Sequence, residues 1–366
     1  MIQPKLESDN DMDILALFEK AVALHQAGKF KNAIINYKLI LENEPSFAEA
    51  KHLLGVAHFQ SGDTSKAIQL IKEAILTNPT HADFYNNLAN IYSSIRDNKT
   101  AFFLYRQALL IDQNHPEANK GVDQLQADFP HLPFFANHYD FNRRLARHTI
   151  PTLALSKDDE LYQPTPDIID LALTAIHGAK NIDLSDLAGR FDTEGATYLE
   201  LWPGEHYKLL ASFIKELQPK LVIEIGTATG ASALALKKHL PFDSKIVTYD
   251  IIPWNEYPGS GLQKNDFDNR MEQRIVDLSN PVLADTQKDT IAKADIIFVD
   301  AAKDGQMEYF FCDFFDSISF ESNSPVILFD DIQMPVMLEL WRSIKHPKLD
   351  ITSFGHWSGT GLVLWK

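Results

Sequence analysis

Two predicted strands in the C-terminal half of the chain end in carboxylates. One apolar run ends at Asp300, and a later one ends at the adjacent pair Asp330 and Asp331. Lys303 follows Asp300 by three residues. Because ligands of open parallel sheets bind beyond the carboxyl ends of the strands, we expect these four side chains to converge on one site.

Three carboxylates that converge repel one another unless a cation neutralises them. Oxygen-only ligands favour Mg²⁺, Mn²⁺ or Ca²⁺ over zinc. A divalent cation lowers the pKa of an acceptor hydroxyl and favours the neutral form of a nearby lysine, so Lys303 is a candidate catalytic base. We therefore predict a metal site formed by Asp300, Asp330 and Asp331, with Mg²⁺ as the expected ion.

The same residues admit plainer interpretations. Asp331 could cap the helix that follows it, because a carboxylate at that place accepts free backbone N–H groups. Asp300 could contact only a bound cofactor, and Lys303 could be a solvated loop lysine. The agreement of two strand ends with one lysine spacing favours the metal site.

A glycine-rich loop precedes these residues in the chain. An apolar run that contains Glu224 ends at Gly226, and Gly230 closes the loop that follows. Glycines permit a tight turn and a close approach of the backbone to a ligand. A second predicted strand, 245–250, ends in Asp250, which lies 26 residues after Glu224. A carboxylate there can accept hydrogen bonds from both ribose hydroxyls of a nucleoside.

Predicted strands and helices alternate through the C-terminal part. The predicted strands are 221–226, 245–250, 294–300 and 325–331, followed by two closing runs at 350–354 and 361–365. This order indicates a doubly wound α/β sheet that ends in an antiparallel hairpin.

The loop resembles motif I of class I S-adenosylmethionine-dependent methyltransferases, which have an acidic residue two places before the first glycine. The gap between Gly226 and Gly230 fits this motif better than the nicotinamide fingerprint G-x-G-x-x-G. The spacing of Asp300 and Lys303 is similar to that of metal-dependent O-methyltransferases of the catechol and caffeoyl-coenzyme A type. That family usually has Asp-Asn where this chain has Asp330-Asp331. The resemblance covers about 200–366.

The resemblance implies a Rossmann-like fold, S-adenosyl-L-methionine as cofactor and O-methylation of a hydroxyl acceptor. It implies that Glu224 holds the amino-acid part of the cofactor or positions the loop, and that Asp250 binds the ribose. Asp277 would contact the adenine edge, although a helix cap is an equal interpretation. The implied cofactor-binding residues are Glu224, Gly226, Thr227, Gly230, Ser232, Asp250, Asp277 and Asp300.

The first third of the chain contains an internal repeat with a period of 34 residues. Ala33, Ala67 and Ala101 are spaced by this period, and each unit is predicted to form two helices joined by a short turn. The pattern resembles the tetratricopeptide repeat, with three units over 14–115 and a closing helix at 116–126. A non-repetitive bundle would not maintain such a register.

In the resembled family, the first helix of each unit lines a groove that binds an extended or helical partner. The corresponding side chains here are Phe18, Val22, His25, His52, Val56, Phe59, Asn86, Asn90 and Ser93. The set lacks the Lys/Arg cluster that such repeats use to bind a C-terminal carboxylate. A spacer or a dimerisation element fits the same pattern equally well.

We predict three parts: tetratricopeptide-like helical repeats over 1–127, a linker and helical cap over 128–199, and a methyltransferase domain over 200–366. The chain has 34 basic and 50 acidic residues, a net charge of −16, which argues against nucleic-acid and anionic-membrane binding. The single cysteine, Cys312, excludes an intrachain disulfide. The N-terminal residues do not resemble a signal peptide, and no apolar run could span a bilayer, so we expect a cytoplasmic protein.

Several features outside the carboxylate cluster have weaker implications. We predict that His206 is structural, and that His356 and Trp357, in the last loop, lie where an acceptor would enter. The segment 254–261 is either a lid or a plain surface insertion. The alternative functions are a protein or amine methyltransferase whose repeats hold a polypeptide, and an interaction scaffold with an inactive methyltransferase domain.

Overall fold

The structure is a computed structural model that describes residues 14–125, 164–202, 206–303, 307–322 and 324–366. The chain forms two compact units, one built from the helical repeats and one built around a sheet. Among the described residues, no helix has the length and apolar character needed to cross a bilayer.

The N-terminal unit consists of helices that pack as successive antiparallel pairs. They are α1 Ile14–Gln26, α2 Phe30–Asn43, α3 Ala48–Gln60, α4 Thr64–Thr77, α5 Ala82–Ser94, α6 Asn98–Ile111 and α7 Pro116–Leu125. The repeated alanines, Ala33, Ala67 and Ala101, are fully buried in the second helix of each pair, where small side chains let the helices approach closely. The predicted repeat solenoid is confirmed.

The turn inside each repeat needs a residue in the left-handed conformation. Gly28 and Gly62 adopt it with φ of 70° and 92°, and Arg96 takes the equivalent place with φ of 65°. Non-glycine residues adopt this conformation only at a cost, so the third turn is held by other contacts. One of them is Asp97, whose side chain accepts a hydrogen bond from the backbone N–H of Thr100 at 3.1 Å.

Three residues assigned to the repeat groove are engaged inside the repeats. The ring nitrogens of His25 bond the Tyr37 hydroxyl at 3.2 Å and Gln60 Oε1 at 2.7 Å. His52 is buried, its ring stacks on Phe84 with centroids 4.5 Å apart, and its Nε2 accepts a hydrogen bond from Asn87 at 3.0 Å. Asn90 accepts a hydrogen bond from the Tyr105 hydroxyl at 2.7 Å. The prediction that His52 lines an open groove is wrong, because this side chain joins two successive repeats instead.

The other groove residues lie on the first helices of their units, as the register requires. Phe18 and Val22 are partly buried against the core of the first repeat, with the Phe18 ring 4.9 Å from that of Phe47. Val56 is half-buried on α3.

The second unit is a seven-stranded sheet with helices around it. Its strands are β1 Leu221–Ile225, β2 Lys245–Asp250, β3 Met271–Ile275, β4 Ile296–Val299, β5 Val326–Asp330, β6 Lys348–Asp350 and β7 Thr360–Leu364. Their order is β3-β2-β1-β4-β5-β7-β6. The first five strands are parallel, and β7 pairs antiparallel with both β5 and β6. The predicted α/β Rossmann-like fold with a terminal antiparallel hairpin is confirmed.

The helices after the repeats connect and cover the strands. They are α8 Pro166–Ala179, α9 Ser185–Ala188, α10 Thr193–Glu200, α11 Tyr207–Leu217, α12 Ala231–Lys238, α13 Pro281–Asp285, α14 Lys288–Ile291, α15 Met307–Asp316 and α16 Pro335–Ser343. Ile168, Leu187 and Leu199 are buried in the same hydrophobic core as the strands. The helices that precede β1 in the chain therefore pack as part of the sheet unit. The rest of the predicted linker and cap, 128–163, lies outside the described residues.

Two strands of the sheet differ from those predicted from sequence. The sequence of β3, Met-Glu-Gln-Arg-Ile, lacks an apolar run because this strand lies at the edge of the sheet, so the prediction omits it. The predicted strand at 350–354 ends instead at Asp350. A 3₁₀ turn over Thr352–Phe354 follows, because Asp350 Oδ1 accepts hydrogen bonds from the N–H and hydroxyl of Thr352 at 2.9 and 2.5 Å.

The parallel register brings the carboxyl ends of neighbouring strands to one edge. Ile225 at the end of β1 pairs with Val299 at the end of β4, which pairs in turn with Phe329 near the end of β5. The loops that carry the candidate site residues all leave the sheet at this edge.

The buried His52 leads to a test of the repeat unit. Burial and the nearby His81 lower the pKa of His52 to about 4, so the unfolded chain binds this proton more readily than the folded one does. Stability should therefore fall as the pH drops from about 6.5 to 4, by about 3 kcal/mol for this group. His52→Gln keeps a hydrogen-bond acceptor and should remove this part of the pH dependence. Urea unfolding of a fragment over 14–125 measures it.

The matched control is His58→Gln, a change in the same helix at a half-buried histidine. It should leave the His52 contribution in place. The role assigned to His52 would be contradicted if the free energy of unfolding lost the same pH dependence in both variants, or if it kept that dependence in both.

Candidate active site

The loop after β1 depends on two glycines. Gly226 has a φ of 101°, and a Cβ there would overlap the carbonyl oxygen of Asp300. Gly230 has a φ of 84° and directly precedes α12, so it opens the helix in a left-handed conformation. Because L side chains rarely adopt such angles, this loop brings its backbone close to the end of β4 only with glycine at these positions.

Asp250 holds this loop in place through backbone hydrogen bonds. Its Oδ2 accepts from the N–H groups of Thr227 and Ala228, both at 2.9 Å. Its Oδ1 accepts from the N–H groups of Ile251 and Ile252 at 2.7 and 3.0 Å. The carboxylate therefore fixes the ends of both β1 and β2, and a ribose contact would share oxygens already engaged.

Glu224 lies in the middle of β1, beneath the loop, and is fully buried. Neither carboxyl oxygen makes a hydrogen bond of normal geometry to a described residue, although Ser232 and Thr248 lie near enough to lower its pKa. Burial outweighs them and raises the pKa of Glu224 to about 8. A positively charged ligand group at this place would favour the ionised form of the carboxyl.

The remaining predicted cofactor residues surround this loop. The Thr227 hydroxyl bonds the Thr248 hydroxyl at 2.6 Å and accepts a hydrogen bond from Gln273 at 3.1 Å. Ser232 is buried in the first turn of α12. Asp277 makes a local turn instead, since its Oδ1 accepts hydrogen bonds from the N–H and hydroxyl of Ser279 at 2.9 and 2.6 Å.

The segment 254–261 is tied down at both ends. The Trp254 ring stacks on Phe267 with centroids 5.1 Å apart, and the backbone N–H of Trp254 donates to Gln273 at 2.8 Å. The N–H of Gly261 donates to the carbonyl of Thr229, inside the glycine loop, at 2.9 Å. The segment thus borders the candidate cofactor site.

The four charged residues at the ends of β4 and β5 converge as predicted. Lys303 Nζ lies 2.8 Å from Asp300 Oδ1 and 3.4 Å from Asp330 Oδ2, and it forms a short ion pair with Asp331 Oδ2. The ammonium group therefore sits at the centre of the three carboxylates. The four side chains form one charge cluster in which Lys303 neutralises part of the negative charge.

This arrangement shifts the ionisation of the cluster. Burial lowers the pKa of Lys303, but Asp300 and Asp330 raise it more, so its net pKa lies well above that of a free lysine. Burial and the charge of Asp330 raise the pKa of Asp300. From the sequence we expect Lys303 to lose its proton easily beside a metal. In this structure the carboxylates favour its charged form.

Asp331 and Lys303 both have strained backbones. Their φ values are 59° and 55°, in a region that non-glycine residues seldom occupy. Such angles persist where surrounding contacts impose them. The N–H of Asp331 donates to the Gly359 carbonyl at 2.7 Å, and the Ser358 hydroxyl donates to Asp331 Oδ1. The last loop is thus joined to the end of β5.

Two histidines complete the cluster, and sequence reasoning did not assign them to it. His356 Nδ1 lies 3.1 Å from Oδ1 of both Asp330 and Asp331. His206 Nδ1 lies 3.5 Å from Asp330 Oδ1, and the two imidazole rings meet edge to face with centroids 5.1 Å apart. For His356, its place in the last loop indicates a position near the acceptor entrance. For His206 the sequence offers no such indication, because it precedes α11 and is far from Asp330 in the chain.

Burial determines the direction of the pKa shift of His206, whereas hydrogen bonds determine that of Asp331. Burial lowers the pKa of His206 despite the charges of Asp330 and Asp300, which favours a neutral ring. Burial raises the pKa of Asp331, but hydrogen bonds from His356, Lys303 and Ser358 lower it more, so this carboxyl has a pKa well below its usual range. Trp357, in the same loop, is 77% exposed.

Comparison with known proteins agrees with both units. A family model described as O-methyltransferase matches residues 200–314, which include Glu224, the glycine loop, Asp300 and Lys303. Two tetratricopeptide repeat models match residues 24–91 and 82–115.

Individual relatives match the repeat segment. The uncharacterized protein ycf37 of Pyropia yezoensis is 36% identical over 93 residues, which are 25% of this chain and 52% of that protein, so the chain spans about half the length of this curated relative. The crystal structure of MamA is 23% identical, with a TM-score of 0.31 over 32% of this chain and 70% of that one. The first repeat domain of Spaghetti (RPAP3), bound to the HSP90 peptide SRMEEVD, is 19% identical, with a TM-score of 0.31 over 32% of this chain and 93% of that one.

The 34-residue register and the paired helices agree with the repeat models, and the glycine loop on a doubly wound sheet agrees with the methyltransferase model. The chain thus carries tetratricopeptide repeats in its N-terminal part and a domain of the O-methyltransferase family in its C-terminal part.

Proposed function

We propose that the protein is an S-adenosylmethionine-dependent O-methyltransferase that acts on a hydroxyl acceptor with the help of a divalent cation. The observation that carries this proposal is the convergence of Asp300, Lys303, Asp330 and Asp331 beside the glycine loop. Its repeats would bind a polypeptide partner or a carrier of the substrate.

The glycine loop and the buried carboxyl of Glu224 support S-adenosylmethionine as the cofactor. The cofactor, when bound, supplies an electrophilic methyl group on a sulfonium centre. Gly226 and Gly230 let the loop pack closely against the Asp300 carbonyl and the Leu262 side chain, and Thr227 and Ser232 belong to the same loop and the first turn of α12. Glu224 offers a buried negative charge to the cofactor's ammonium group, which would favour the ionised carboxylate. Asp250 keeps the loop in its binding conformation.

The carboxylate cluster would prepare the acceptor. A divalent cation on Asp300, Asp330 and Asp331 supplies Lewis acidity that lowers the pKa of an acceptor hydroxyl. Such a cation would take over the neutralising role that Lys303 has in this structure. Lys303 would then release its ammonium proton to solvent, and its neutral Nζ could accept the hydroxyl proton. Lys303 and Asp331 both adopt a left-handed backbone conformation at the edge of the sheet.

A second candidate is methylation of an amine on a polypeptide. The presence of repeats in the same chain favours it, because a repeat groove can hold an extended segment. Methylation of an amine needs no cation to acidify a hydroxyl, so dependence on a divalent ion separates the two candidates. Asn86 is 4% exposed and therefore unsuited to partner contacts, as His52 is. The remaining candidates are Phe18, Val22, Val56 and Asn90.

The first test concerns Glu224 and the charge of the cofactor. Since the pKa of Glu224 is raised to about 8, the carboxyl is largely protonated at pH 7 and should release its proton when a cationic ligand binds. Glu224→Gln should abolish this proton release and weaken binding by about 1.5–3 kcal/mol, the usual contribution of a hydrogen bond to a charged group. Calorimetry in buffers of different ionisation heat measures both effects.

Glu321→Gln, at an exposed position, is the control and should bind as the unchanged protein does. Equal proton release in both variants would show that Glu224 does not face the cofactor.

The second test concerns Asp250. Asp250→Ala removes two hydrogen bonds from the glycine loop and two from the residues after β2, and with them any ribose contact, so cofactor binding should weaken by about 1–3 kcal/mol. Asp243→Ala, an exposed position before β2, is the control. Absence of binding by the unchanged protein at millimolar cofactor would end the enzyme proposal and favour the scaffold.

The third test concerns the metal and the base. In a screen of hydroxyl acceptors, turnover should require a divalent ion and disappear with a chelator. Lys303→Ala should lower the rate by roughly 10²–10⁴, the usual effect of losing a general base, with cofactor affinity nearly unchanged. Full turnover in excess chelator would exclude the metal-assisted reaction and favour an amine acceptor.

A further inference from the structure

His206 is a buried polar side chain whose hydrogen-bonding capacity is unused. It is 2% exposed, and neither ring nitrogen has a hydrogen-bond partner among the described residues. Its ring is held by Tyr207 and Phe298, with centroids 4.6 and 5.3 Å away. Its Nδ1 nevertheless lies 3.5 Å from Asp330 Oδ1. Buried polar atoms normally have partners, so this arrangement calls for a ligand.

Asp330 presents its two oxygens to different neighbours. Oδ2 faces Lys303, within the carboxylate cluster, at 3.4 Å. Oδ1 faces the two histidines, His356 at 3.1 Å and His206 at 3.5 Å. The carboxylate is thus shared between an oxygen-rich set on one side and a nitrogen-rich set on the other.

The distances on the nitrogen-rich side suit a metal ion. Ligand atoms about 2.0–2.1 Å from a tetrahedral zinc lie roughly 3.3 Å from one another. Asp330 Oδ1 lies 3.1 Å from His356 Nδ1 and 3.5 Å from His206 Nδ1, one distance slightly below this value and one slightly above it. One ligand atom from each of His206, Asp330 and His356 can be chosen so that all three lie within 4.8 Å of one another.

We propose that His206, Asp330 and His356 form a transition-metal site next to the predicted oxygen-only site, with Asp330 as the carboxylate common to both. Imidazole nitrogen favours Zn²⁺, Co²⁺ and related ions, whereas Mg²⁺ favours oxygen. Asp331 Oδ1 lies 3.1 Å from His356 Nδ1 and could become a further oxygen ligand if it gave up its hydrogen bond from the Ser358 hydroxyl. On metal binding, His356 Nδ1 exchanges its present contacts with the two carboxylates and with the Ser358 hydroxyl, 2.9 Å away, for a bond to the ion.

This site differs from the proposed magnesium site in a way that can be measured. Lys303 occupies the centre of the oxygen-rich set, and the nitrogen-rich set leaves that ion pair intact. Metal binding by the protein alone does not depend on which acceptor is methylated or on whether methyl transfer occurs.

The test uses the full-length protein, freed of metal with a chelator and dialysed, without cofactor or acceptor. Calorimetric titrations with Co²⁺ and with Mg²⁺ give the two affinities, and the visible absorption of bound Co²⁺ reports its ligands. His206→Gln and His356→Gln should each weaken Co²⁺ binding by at least about 10–100-fold, the loss already seen when only a group that supports a metal ligand is removed, and should leave Mg²⁺ binding unchanged. Asp300→Asn should weaken Mg²⁺ binding and leave Co²⁺ binding unchanged, because Asp300 belongs to the oxygen-rich set alone.

His177→Gln is the matched control, since His177 is exposed near the end of α8. It should bind Co²⁺ as the unchanged protein does. His356 is half-buried in a loop, so its variant decides the question if His206→Gln does not fold. The inference is overturned if Co²⁺ does not bind, or if its affinity and spectrum are the same in the histidine variants as in the control.

Discussion

The close approach of Gly226 to the Asp300 backbone determines how the two halves of the candidate site are arranged. A Cβ at Gly226 would overlap the Asp300 carbonyl, so the loop after β1 lies directly against the end of β4. Through this contact the candidate cofactor cradle and the charge cluster share one edge of the sheet. Asp250 reinforces the arrangement from the other side by binding the N–H groups of Thr227 and Ala228.

The features that were predictable from sequence are those that local patterns encode. The 34-residue register identifies the repeats, because the same small residues recur where helices meet. Apolar runs that end in aspartate identify β4 and β5, since buried parallel strands are continuously apolar and their carboxyl ends bind ligands. Asp300, Lys303, Asp330 and Asp331 converge for this reason.

Other features depend on tertiary contacts and leave no local trace. The edge strand β3 is polar, so its sequence carries no strand signal. Arg96 replaces the turn glycine of the third repeat, and only its neighbours keep it in the left-handed conformation. His206 reaches Asp330 only because α11 packs beside the sheet. The sequence predicts a ligand contact for Asp250, whereas its backbone hydrogen bonds appear only once the loop is folded.

The order of elements along the chain separates the two halves of the site. Glu224, the glycine loop and Asp250 lie on β1 and β2, whereas Asp330, Asp331 and His356 lie at or after the end of β5, beyond the residues that the O-methyltransferase model matches. Because His356 enters the site from the last loop, a different loop sequence there would change the groups that face Asp330 and Asp331. The hydrogen bonds between Asp250 and the glycine loop involve none of these residues.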